Sequence, residues 1–144
     1  MPGIDIGSKS RLGYPHLDKT TSLTQGFFME FFGTFYLVFA FYACSIHRKA
    51  SPGVCAAIVG ASLFTGIVAF GSTTGGGLNP ARTFGPSIIA HQFMMRGWWI
   101  YYAATTLGGV VAAYVYKFII SSENSEYDSL PNVDLEGRTN DMEM

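Results

Sequence analysis

The sequence predicts an all-α membrane protein with three transmembrane helices and one re-entrant half-helix. Three observations predict it. Charged residues make up only 13% of the 144 residues, about half the ~25% usual in soluble domains. Charges avoid three windows of 19 to 21 residues, 26–46, 53–71 and 98–116, apart from Glu30. At about 1.5 Å per helical residue each window reaches roughly 29–32 Å, close to the ~30 Å hydrocarbon thickness of a bilayer. Finally, a glycine-rich loop at 75–77 leads into a helix signal only half that long. Three buried helices of a soluble protein are the competing reading. Charge-free runs of this length are rare outside membranes, which sets it aside.

Taken in order, residues 1–25 scatter Gly, Pro, Ser and Thr and read as a polar N-terminal arm or loop. The first span, 26–46, carries Phe28, Phe32, Phe35 and Phe39 at helical spacing, a lipid-facing or packing stripe. It follows a long polar stretch and is too long for a cleavable signal, so it reads as an uncleaved anchor. The second span, 53–71, is preceded by Pro52, which suits a first helical turn. The third is drawn over 98–120. Trp98, Trp99, Tyr101 and Tyr102 open it like an interfacial aromatic belt, and Lys117 can snorkel at its far end. Small residues recur four apart at Ala56/Gly60, Ala57/Ala61, Gly108/Ala112 and Gly109/Ala113, as close helix packing requires. Residues 121–144 form an acidic tail with few apolar side chains, expected to be disordered.

The formal net charge of −1 conceals a split: residues 1–122 carry +5 and residues 123–144 carry −6. No Lys/Arg cluster exceeds the pair Arg48-Lys49, which argues against a nucleic-acid partner. Four Lys/Arg fall on each side of the predicted membrane when Arg82 is left out, so orientation is unspecified, as is the membrane of residence. Cys44 and Cys55 are too few for a disulfide scaffold. His16, His47 and His91 are scattered, and no metal or triad spacing appears. No cofactor and no enzymatic activity are expected.

The segment 72–97 holds the chemistry. Asn79 is a good N-cap and Pro80 suits the first helical position, so a short helix is predicted over about 79–90. Its length of about 16 Å is half a membrane. Its N-terminus would place a positive partial charge at mid-membrane depth. Arg82 then sits at the third helical position, where a cation opposes the helix dipole and is expensive in apolar surroundings. A functional role is the default for such a residue; a solvated loop arginine is the bland alternative. Gly33 and Thr34 lie on the same helical side as Glu30, favouring an inward carboxylate.

The run GGGLNPARTFGP, residues 75–86, resembles the second signature of the aquaporin (major intrinsic protein) family. The resemblance covers about residues 24–120. TQGFFMEFFGTFYLVFAFYA is similar to the family's fourth span, 54–71 to its fifth and WWIYYAATTLGGVVAAYVYKF to its sixth. The family has six spans in two inverted repeats, so the resemblance implies that 26–120 is the second, C-terminal repeat.

The resemblance also implies roles. Asn79, Pro80 and Ala81 would form the pore motif, with the Asn79 amide donating to a passing water. The carbonyls of Gly75, Gly76, Gly77 and Leu78 would line the path, and Glu30 would support the loop from behind. Ile67, Gly76 and Arg82 would supply three of four filter positions. Ile67 stands where many strict water channels have His, which widens the constriction and admits small neutral solutes such as ammonia or urea. Thr83 and the pair Tyr101-Tyr102 fit the water type. Ala104-Thr105 departs from the family's usual Gly-Pro. Water or small neutral solutes, a lipid bilayer and a homotetramer are the partners implied. Three spans do not enclose the family's pore, and three readings follow: a truncated chain inactive alone, a half-channel pairing with another half, or a non-conducting adaptor whose acidic tail binds a partner.

Overall fold

The computed structural model describes residues 14–46, 51–89, 91 and 94–120. Most of the predicted arm, the pair Arg48-Lys49, Ala90 at the predicted end of the half-helix and the acidic tail lie outside these residues.

The fold is an all-α bundle of four helices: α1 (Leu23–Ile46), α2 (Pro52–Phe70), α3 (Pro80–Ile89) and α4 (Ile100–Val115). A π-helical turn, Tyr116–Ile120, extends α4. Helix α1 begins in a reciprocal cap. The Gln25 N–H donates to Ser22 Oγ at 3.1 Å and the Ser22 N–H donates to Gln25 Oε1 at 2.9 Å. This Ser-x-x-Gln box satisfies two donors that would otherwise lack partners. Pro52 opens α2 at a position where its missing N–H costs nothing. Helix α3 runs through Pro86 despite the backbone bond that proline withholds.

Two helices are long and apolar enough to cross a membrane, Leu23–Cys44 within α1 and Pro52–Phe70. The third expected span is corrected in one respect. Helix α4 has 16 residues rather than the 23 drawn over 98–120, about 24 Å at the α-helical rise. Trp98 and Trp99 fold as turns after Gly97, whose φ is +73°, and the α repeat changes to a π turn at Tyr116.

Helix α1 packs mainly against α4 and less extensively against α2. Gly108 makes the α1–α4 approach possible: a Cβ there would stand 2.4 Å from the Phe31 carbonyl oxygen. Ala104 and Ala112 on the same face are fully buried. The small residues of α2 behave differently. Gly60 faces open space, and Ala56, Ala57 and Ala61 are exposed, so close packing does not involve them among the described residues. Phe28 and Phe32 of the aromatic stripe are also exposed.

Residues 14–22 lie against the ends of α1 and α4. Leu17 is buried with Ile100 and Ala104, and Phe27 and Phe31 pack around them. Arg96 donates to the carbonyls of Asp18 and Thr21, both at 3.1 Å.

Candidate functional site

The site is built where the loop between α2 and α3 folds back into the angle between α1 and α2. Its backbone takes a tight path: φ is +81° at Gly75, +57° at Gly76 and +52° at Leu78. Two of these positions are glycine, for which such angles are unstrained. Leu78 is not, and its packing supports the conformation. Its side chain is 2% exposed. It fills a slot between Gly33 of α1 and Gly66 of α2, where an added Cβ would lie 2.4 and 2.6 Å from its methyl groups.

Glu30, on α1, is fully buried. Its Oε1 accepts the Gly77 N–H at 2.9 Å and its Oε2 accepts the Leu78 N–H at 2.6 Å. A carboxylate is acceptor-only and presents one oxygen to each of two adjacent amides, which no neutral side chain of this size does equally well. Gly77 fits because it lacks a side chain: a Cβ would stand 2.7 Å from Tyr101 and 3.0 Å from Glu30 Oε2. On the far side, the Tyr101 hydroxyl donates to the Thr74 carbonyl at 2.6 Å. The Asp18 N–H donates to the Thr73 carbonyl at 2.8 Å, which ties the arm to the same loop.

Asn79 caps α3. Its Oδ1 accepts the Ala81 N–H at 2.8 Å and the Arg82 N–H at 3.4 Å. Pro80 occupies the first helical position, and Pro80 and Ala81 form the start of α3 beside the exposed Asn79. Arg82 Nη1 donates to the Gly76 carbonyl at 2.6 Å, across the mouth of the loop. Gly76 also abuts Ile67: a Cβ on it would lie 3.2 Å from Ile67 Cα. The structure therefore brings Ile67, Gly76 and Arg82 together, and sets Gly75, Gly77 and Leu78 around them with Glu30 behind. Ile67 and Arg82 are exposed, whereas Gly76, Gly77 and Leu78 are buried. At the exposed edge the Arg82 guanidinium and the apolar Ile67 of α2 flank the buried backbone of the loop. Among the described residues there is no group of three His, Cys, Asp or Glu side chains able to hold a metal.

The sequence pattern described as Major intrinsic protein matches residues 6–116. The chain belongs to that family. This major intrinsic protein is 40% identical over 110 residues to Aquaporin NIP3-1 of Zea mays, a match covering 76% of this chain and 36% of the relative. It is 40% identical over 112 residues to Aquaporin-1 of Rhizophagus irregularis, covering 78% and 40%. It is 40% identical over 94 residues to Probable aquaporin TIP-type RB7-5A of Nicotiana tabacum, covering 64% and 37%. The chain thus spans little more than a third of the length of these relatives. The family is one of channels and not of enzymes, and the protein is not an enzyme.

Several residues that shape the site in this major intrinsic protein escaped the sequence reading. Leu78 entered only for its carbonyl, yet its side chain anchors the loop. Tyr101 and Thr74 pair across segments 27 residues apart, a contact that no local pattern announces. The Ser22–Gln25 cap also went unread, although Ser-x-x-Gln before an apolar run is a start signal that a local pattern carries. The two carbonyl partners of Arg96 lie more than 70 residues earlier, beyond the reach of any local pattern.

Proposed function

We propose that residues 26–120 form the second repeat of an aquaporin-type channel and supply one wall of its pore, with a complementary repeat supplying the other. One observation carries this reading: the Asn79-capped α3 and the loop before it are held by Glu30, with Gly76 and Arg82 joined at the exposed edge. In this reading α1 and α2 span the bilayer, α4 with its π turn is the third span, and α3 is a re-entrant half-helix. The arm ends at Ser22, where α1 begins, and 121–144 is an acidic tail. The protein is multi-pass.

Water is the permeant, with small neutral solutes admitted beside it. The Asn79 carbonyl oxygen is committed to its cap, which leaves the amide NH2 to donate to a water oxygen. The carbonyls of Gly75, Gly76, Gly77 and Leu78 accept from water along the path. The N-terminus of α3 and Arg82 add positive potential that opposes cations and protons. Ile67 makes its part of the constriction apolar. Pro80 and Ala81 set the half-helix start, and Glu30 is structural support. The exposed apolar face of α2, with Ile58, Phe64 and Val68, is the surface on which the complementary repeat packs. Four such pores assemble as a tetramer by family habit.

The test is osmotic shrinkage of proteoliposomes by stopped flow. The chain alone is expected to match empty liposomes, and the chain with a first repeat from a family member to exceed them. Arg82→Glu and Asn79→Asp should each lower that gain, and Ile67→His should narrow the pore and reduce urea flux. Paired halves no more permeable than empty liposomes would refute the channel reading. Conduction by a strictly monomeric chain alone would refute the need for a second wall.

A further inference from the structure

Outside the loop and α3, the most pointed cluster of reactive groups is a pair of thiols where α1 ends and α2 begins. We infer that Cys44 and Cys55 form an oxidisable pair that a hydroperoxide closes to an intramolecular disulfide, tying the last turn of α1 to the first turn of α2. This inference does not depend on the channel reading.

The chain has two cysteines, 11 positions apart. The reversal between the two helices brings them together, and both are free thiols. Cys44 is two residues before the last residue of α1, so its carbonyl is one of the last four that lack an intrahelical donor. The Cys55 thiol donates to that carbonyl at 3.0 Å, which brings its sulfur to the backbone of Cys44 itself. The Cys55 sulfur is thus held beside its partner by an interaction that helix geometry itself demands. The two differ in access: Cys44 is buried at 7% exposure, while Cys55 is partly exposed. That difference assigns the order of events.

Cys55, as thiolate, attacks one oxygen of hydrogen peroxide. The O–O bond breaks, the leaving hydroxide takes up the proton that Cys55 released and becomes the first water, and Cys55 becomes a sulfenic acid. The Cys44 sulfur then attacks the Cys55 sulfur. An S–S bond forms, the S–O bond breaks, and the hydroxyl leaves as water with the Cys44 proton. Two thiols and one peroxide give one disulfide and two waters, with two electrons passing from sulfur to peroxide. A thiol that merely capped α1 would give none of this.

The experiment uses the full chain in detergent micelles, treated with hydrogen peroxide, then with N-ethylmaleimide, and read by intact mass and peptide mapping. The expected result is loss of maleimide from both cysteines, a mass lower by two hydrogens, a linked peptide pair within one chain, and recovery of both labels after dithiothreitol. In Cys44→Ser the reaction should stop at a Cys55 sulfenic acid that dimedone traps. Unchanged labelling of both cysteines in the wild-type chain would overturn the inference. So would oxidation of Cys55 to a sulfinic acid without linkage, or a disulfide formed only between chains.

Discussion

Replacing Glu30 by Gln tests the support of the pore loop most directly. The shape is nearly unchanged, but the chemistry is not. In the wild-type chain both carboxylate oxygens are occupied by backbone donors, from Gly77 at 2.9 Å and Leu78 at 2.6 Å. Glutamine has one acceptor oxygen. Whichever amide it serves, the other meets an NH2 group, donor against donor, in a site with no exposure to solvent. A hydrogen bond to a charged group is worth about 1.5–3 kcal/mol, and a stranded buried donor costs about as much. We therefore expect a local loss of about 2–3 kcal/mol, equivalent to roughly a 30- to 150-fold rise in opening at ~1.4 kcal/mol per decade. Amide hydrogen exchange at Gly77 and Leu78 reads this opening residue by residue. Exchange at α2 amides far from the loop serves as control, because global unfolding would raise both. Unchanged exchange at Gly77 and Leu78 would refute the claim that Glu30 holds the loop.

Three further outcomes are expected. Leu78→Ala empties the slot between Gly33 and Gly66 and should lower stability by about 2–5 kcal/mol, read by thermal unfolding in detergent. Gly77→Ala drives a Cβ toward Tyr101 and Glu30 and should cost about 1–3 kcal/mol, with the Tyr101–Thr74 bond lost first and visible as a change in tyrosine fluorescence. At the arm, the Thr20 hydroxyl and then the Thr20 amide hold the Asp18 carboxyl below its ordinary value. A depressed folded value means that its contribution is complete above the unfolded value of about 3.9 and is lost as pH falls through the lower folded one. Protection of the Thr20 amide, taken relative to its intrinsic exchange rate at each pH, should fall over that acid range in the wild-type chain, and Asp18→Asn should abolish that fall.

What the sequence disclosed follows the range of the forces involved. Helices α1 and α2 were legible because a charge-free run of bilayer length is a property of neighbours in sequence. The end of α4 was not, because whether an apolar run stays α-helical past Val115 depends on how Tyr116 stacks on Tyr42 and edges Phe39. At the candidate site the glycines at 75–77 and the Asn79-Pro80 pair carry their backbone meaning locally. Glu30 could be singled out as the one charge in its window. Its two amide partners lie 47 and 48 residues away, and only the folded chain supplies them. Leu78 shows the limit most plainly. A leucine at positive φ has no local justification; the notch that accepts it is made by two glycines on different helices.

That notch has a consequence for the order of assembly. Gly33 belongs to α1 and Gly66 to α2, so neither helix alone presents the recess, and Leu78 follows both in the chain. The loop therefore cannot take its final path as an isolated peptide, nor while α1 waits unpaired. Helix pairing must come first, and the loop closes on it as a latch closes on a frame. A chain with Gly33 enlarged should insert its helices normally and still leave this latch open.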